Sequence, residues 1–221
     1  MSCAVPSAVP SVVPRAVVLD GHIAGAGSQE GTRLVVGRWR RSPVGRFADV
    51  MVERPDGTRV LLAPRDDVVG LVTRLYTFDD VRVVEVAVVP DAAARAWTVT
   101  AGPLRARLVL GRRTATGRLL GLVPRAVVGA RATGGLVDAV ARTAVRGVRT
   151  RGRGRDGSLE VYAARDQHAL VALDAQWDGR DLGGLRPVEP PVRFGFSSVP
   201  ARPSVTALRV TIEAPAGPAT P

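Results

Sequence analysis

The chain has 221 residues, 31 of them arginine and none lysine, against 20 acidic residues, for a formal charge of +11. With 46% hydrophobic and 23% charged residues it has the composition of an ordinary globular chain rather than a disordered one. No run of 18 residues is free of Arg, Asp, Glu and Pro, so no transmembrane helix is expected.

The lack of lysine removes side-chain Schiff-base chemistry and any lysine general base. A single cysteine, Cys3, cannot form an internal disulfide and points to a reduced, cytoplasmic setting. Asparagine is missing as well, which fits a GC-rich coding sequence and makes the arginine excess weak grounds for a binding role.

Residues 4–15 run Ala-Val-Pro-Ser twice and then Val-Val-Pro-Arg. Pro6, Pro10 and Pro14 favour extended chain, so 1–15 is expected to be a disordered tail, with no charged region of the kind a secretory signal carries. The Pro-rich residues 213–221 make a second tail, leaving one domain over 16–212. Valine (37) outnumbers leucine (19), in short runs bounded by Gly, Pro and Asp, a strand-like pattern.

In chain order, strands are predicted at 16–23, 33–40, 47–53 and 58–63, the last two joined by the turn Arg54-Pro55-Asp56-Gly57. A helix follows over about 65–76, where Asp66 and Asp67 suit an N-terminus and Val68, Leu71, Val72 and Leu75 repeat at helical spacing. Strands at 81–89, 97–101 and 104–111 precede a short helix and loop over 118–132. A second helix at about 134–146 has the stripe Leu136, Val137, Val140, Ala141, Ala144 and Val145 and ends at Arg146-Gly147. Strands at 158–164, 168–177, 192–198 and 204–212 complete the chain. Roughly ten strands must close or pack face to face. The expected fold is mainly β (α+β): an antiparallel, closed or nearly closed β-barrel with two packed helices.

Three stretches resemble the acetoacetate decarboxylase-like β-barrel superfamily. They are Ser42-Pro-Val-Gly-Arg-Phe-Ala-Asp49, similar to that family's early-strand entry; Trp97 to Gly111, which looks like its paired strands around a turn; and Gln176-Trp-Asp-Gly179 through Leu185 to Pro190, Pro191 and Val192. The resemblance spans about 42–212. It implies a conical barrel whose lumen holds a small keto acid, with a lysine nucleophile after a helix and a glutamate beside it. The lysine's neighbourhood falls near Tyr76, Thr77 and Phe78, where no lysine stands, so a lysine-dependent decarboxylase is excluded. Asp49 takes the glutamate's place.

Strand alternation puts Phe47, Asp49 and Met51 on one face, where desolvation would raise the aspartate's pKa unless an arginine pairs with it. Phe47, Asp49, Met51 and Phe78 are therefore candidate ligand-binding residues. Glu85, Arg105 and Arg107 join them as a polar cluster suited to a carboxylate or phosphate if those strand faces point inward, and as solvated faces if they point outward. His168, which with His22 is one of only two side chains titrating near neutrality in the unperturbed state, is the remaining ligand-binding candidate.

The sequence shows no Gly-x-Ser-x-Gly elbow. Gly25-Ala26-Gly27 precedes a predicted strand instead of a helix, and two histidines with one tail cysteine make a poor zinc set. No cofactor and no metal are expected. The functional expectation is a luminal site for a small anionic or partly apolar molecule. The alternative is binding of nucleic acid or an acidic partner through Arg146, Arg149, Arg151, Arg153 and Arg155, a Gly-interleaved segment lacking stacking aromatics. Oligomeric state is left open.

Overall fold

A computed structural model describes residues 16–121, 151–196 and 199–214. β1 (Ala16–Ser28), β2 (Arg33–Arg41), β3 (Phe47–Glu53) and β4 (Arg59–Ala63) form an antiparallel meander. Helix α1 (Asp66–Leu75) then crosses to β5 (Asp80–Val83), which lies parallel to β4. A second meander comprises β6 (Val86–Asp91), β7 (Ala96–Ala101) and β8 (Leu104–Arg113), followed by α2 (Ala115–Gly121). After β9 (Arg151–Arg153) come β10 (Leu159–Trp177), β11 (Arg180–Asp181), β12 (Leu185–Arg186) and β13 (Ser204–Glu213).

The main path of the sheet is β5-β4-β3-β2-β1-β13-β10-β8-β7-β6. It is mainly β, as expected, but it corrects the closed or nearly closed antiparallel barrel to an open, mixed half-barrel of ten strands. The reason is α1. A helical crossover returns the chain in its original direction, so β5 pairs parallel to β4 and keeps a free edge. Val84 and Glu85 then carry the chain directly to the opposite edge, β6, and the two edges do not pair.

Four further differences are local. The predicted 134–146 helix, and 118–132 from residue 122 on, lie outside the described residues, and α2 begins earlier, at Ala115. The predicted 81–89 strand divides at Val84-Glu85. The predicted strands 158–164 and 168–177 are one strand, β10, carried through Arg165-Asp166-Gln167 by a bulge and exchanging bonds with both β13 and β8. Residues 192–196 are not a strand. Glu53 accepts the Arg193 backbone N–H at 2.7 Å, and Arg59 donates to the Arg193 carbonyl at 3.3 Å, so side chains take the polar groups a ladder would have used.

Helix α1 has no side-chain cap, but Asp66 and Asp67 sit in its first turn, where the helix dipole favours negative charge. It buries Val68, Val72 and Leu75, each contributing roughly 2 kcal/mol by removal from water. These residues pack with Leu19, Trp39, Phe47, Leu61 and Ala63 on one face of the sheet. The opposite face places Ala24, Leu34, Val36, Val50, Val52 and Leu62 inside the curl, against Trp97, Val99 and Leu108. A smaller cluster joins Val35 to Val188, Val192 and Phe194. Trp177 is flanked by the guanidinium groups of Arg54 and Arg82, 5.8 and 5.7 Å from its ring, a cation–π contact linking β10 to the β3 and β5 side.

Glu53, fully buried, pairs with Arg33 at 3.0 Å and Arg193 at 2.8 Å. Arg33 also donates to the Pro190 carbonyl at 3.0 Å, so this one carboxylate ties residues 190–193 to the sheet. Glu53→Ala leaves a buried guanidinium without its partner and is expected to lower the unfolding free energy by about 3 kcal/mol or more in a urea titration. The exposed Arg105→Ser should change it by less than about 0.5 kcal/mol. A loss at Glu53 as small as that at Arg105 would contradict the assignment.

Candidate functional site

Strand alternation on β3 turns Phe47, Asp49 and Met51 toward the face covered by α1. Asp49 is buried there, 3% exposed, and its Oδ1 accepts a hydrogen bond of 3.0 Å from the indole Nε1 of Trp39 on β2. Gly37 lies opposite Asp49 in the ladder. A Cβ at Gly37 would come within 2.3 Å of Asp49 Oδ1 and 2.7 Å of Trp39 Nε1, so glycine here leaves room for the acid and the indole to meet. Burial pushes the Asp49 carboxyl up to about 6, with the indole N–H pulling the other way.

A second acid faces the same space from β10. Glu160 Oε2 accepts hydrogen bonds from the Tyr162 hydroxyl at 2.7 Å and from the Tyr76 hydroxyl at 3.1 Å, and the two phenols also touch each other. Tyr76 follows the last turn of α1, where its N–H closes on Val72 and the next residue, Thr77, donates to the Phe194 carbonyl. Burial raises the Glu160 carboxyl, opposed by the Tyr162 and Tyr76 hydrogen bonds. Burial, followed for Tyr76 by the nearby Glu160 charge, lifts both phenols well above their usual value, so they remain protonated donors.

Between these groups lies a cavity of about 40 Å³. Leu71, Val72 and Leu75 of α1 form one wall; Leu19 and Ile23 of β1 with Val210 and Ile212 of β13 form another. The polar wall is Asp49, Glu160, Tyr76, Tyr162 and Trp39, and no arginine or histidine is among the described lining residues. The volume accommodates about three water-sized groups. With burial lifting the Asp49 carboxyl to about 6, the arrangement can exchange a proton there and hold a donor against either acid.

The sheet thus brings Phe47, Asp49 and Met51 to one cavity, and it does not gather the other candidates there. Phe78 packs beside it, its ring 5.5 Å from Phe194. Glu85 is exposed in the link between the two sheet edges. Arg105 and Arg107 are exposed opposite Gln176 and Asp174, because Leu104, Ala106 and Leu108, alternating with them, fill the interior of the curl. His168 is half-buried on β10, its Nε2 3.6 Å from Asp166 and its Nδ1 3.4 Å from the Gly111 carbonyl. His22 sits edge-on to Trp97, 5.9 Å away, its imidazole held below the usual pKa by burial, Arg40 and Arg38. Arg146 and Arg149 lie outside the described residues. Arg151, Arg153 and Arg155 are exposed, the latter two donating to the carbonyls of Gly157 and Thr73.

Sequence reading missed Glu160 and Tyr162. A signal was present in Leu159-Glu160-Val161-Tyr162, where alternation puts a carboxyl and a phenol on the same face of a strand.

The Asp49 shift has a signed consequence for stability. A carboxyl raised in the folded state stabilises the fold fully below the unfolded pKa of 3.8, and that contribution disappears as pH rises through about 6. Asp49→Asn removes the titration. The difference in unfolding free energy between parent and variant, measured from pH 4 to pH 7.5, should move in the variant's favour by about 2 kcal/mol, most of it before pH 6.5. A difference independent of pH would show that Asp49 is not a raised, buried acid.

No protein-family model and no curated protein matches the chain. Among solved structures, one described as a "putative AttH" from Nitrosomonas europaea aligns with 98% of this chain at 8% identity and a TM-score of 0.27, the chain spanning 60% of that protein's length. Superposition at this level assigns neither family nor activity.

Proposed function

We propose that the protein binds a small, largely apolar molecule in the chamber between α1 and the sheet, the polar end of the ligand meeting Asp49, Glu160 and the two phenols. The observation that carries this is a buried carboxyl with one indole donor and no arginine, facing an internal space otherwise lined mainly by aliphatic side chains. Buried acids without partners are costly to maintain, and functional sites are where such perturbed groups cluster.

The described wall has acids and hydroxyls but no basic group, which favours, of the anionic or partly apolar molecule expected from the sequence, a partly apolar one bearing hydrogen-bond donors. The resemblance to acetoacetate decarboxylase-like barrels adds a point in support. It implied a helix-end residue beside an early-strand acid, and Tyr76 and Asp49 line the same chamber. Kinship with that superfamily, and a reduced cytoplasmic setting, remain part of the proposal.

Ligand-detected NMR with fragments of two to four heavy atoms tests the reading. Fragments this small gain at most about 1.5 kcal/mol per heavy atom, a ceiling between several millimolar for two atoms and tens of micromolar for four, so millimolar concentrations are used. Small alcohols and amines should bind the parent and lose binding in Leu71→Trp, which fills the chamber from α1, while Leu71→Trp still unfolds cooperatively. Binding unchanged in that variant, or no binding to the parent, would overturn the proposal.

A further inference from the structure

Two acids on β3 share a face four residues apart and differ in one respect. Glu53 is bracketed by Arg33 and Arg193, whereas Asp49 has only the Trp39 indole. Glu160, across the chamber on β10, accepts both phenols through Oε2 while its Oε1 is buried without a partner. The other titratable groups facing Asp49 are Tyr76 and Tyr162. β1, β13 and α1 present only aliphatic side chains, and β2 presents Gly37, Val35 and Trp39. Among the described residues, the chamber is therefore built with two carboxyls and no counter-cation.

Given a ligand-binding chamber beneath α1, we propose that its ligand class is a small alkylammonium ion, whose N–H donors are taken by Asp49 and Glu160 and whose alkyl group packs on Leu19, Ile23 and Val210. Three N–H donors on a compact head match a wall of acceptors, and a positive charge compensates an ionised acid in a medium of low polarity. Binding to the neutral form of Asp49 requires that acid to lose its proton to solvent, so one proton leaves for each alkylammonium that enters. The ammonium itself stays protonated throughout the neutral range, as a lysine side chain does. Affinity should rise with pH as Asp49 ionises, by about tenfold between pH 5 and pH 7.5 for a midpoint near 6.

The indole N–H of Trp39 reports on Asp49 directly. In the ¹⁵N-labelled full chain its signal, one of three indole signals, is assigned by its loss in Trp39→Phe. Ethylammonium chloride, ethanol, sodium acetate and sodium chloride are titrated separately at both pH values. Ethylammonium should shift the signal saturably, about tenfold more tightly at pH 7.5, and ethanol more weakly with no pH dependence. Asp49→Asn should weaken ethylammonium binding and reduce its pH dependence while ethanol still binds. Should that variant fail to fold, Glu160→Gln should weaken ethylammonium selectively. A preference for ethanol or acetate, or an equal effect from sodium chloride, overturns the alkylammonium assignment while leaving the chamber a binding site. No saturable shift from any compound overturns both.

Discussion

Strands β1 to β4 are buried on both faces except at the start of β1 and the end of β2, and most of the structure's chemistry follows from that constraint. One face lies inside the curl against Trp97, Val99 and Leu108; the other lies beneath α1 and residues 188–194. A sheet covered on both sides reads as a nearly continuous apolar run, as in Leu34-Val35-Val36, instead of an alternating one. An acidic residue on such a strand has no route to bulk water and must be paired, protonated or provided with a ligand. Glu53 is paired. Asp49 is not, and burial lifts its carboxyl to about 6.

The site is assembled by the same covering elements. α1 contributes the aliphatic wall and, at its end, Tyr76; β10, long enough to reach from β9 to β11, delivers Glu160 and Tyr162 to the opposite side. The segment pinned by Glu53 and Arg193 supplies the Phe194 carbonyl that fixes Thr77, and with it the chain leaving Tyr76. The paired acid on β3 thus helps hold the wall around the unpaired one. A protein that buried Asp49 only as a tolerated defect would have no need of a second acid and two phenols directed at the same space.

Much of the local structure was legible in the sequence. The turn at Arg54-Pro55-Asp56-Gly57 is present, with Gly57 at a φ of +86° that favours glycine, and α1 follows its i, i+3, i+4 stripe. The face shared by Phe47, Asp49 and Met51 follows from a period of two. What alternation could not supply was which face has a neighbour. Arg105 and Arg107 looked equivalent to Asp49 on that criterion, yet they face water because the other face of β8 fills the curl. Glu160 and Tyr162 lie more than 80 residues from Tyr76, and only the pairing of β10 with β13, next to β1, brings them across from β3. The open edge of the sheet was hidden for a related reason: the direction of β5 depends on α1 crossing over, which strand propensity does not encode.

The central claim is a carboxyl held out of water with one indole donor beneath α1. Its most direct measurement is the ¹³C carboxyl resonance of Asp49 followed through a pH titration of the folded protein, with the signal identified by its absence in Asp49→Asn. A midpoint near 6, accompanied by movement of the Trp39 indole N–H over the same range, is the predicted result. A midpoint at or below 4, the value of an aspartate in water, would contradict it.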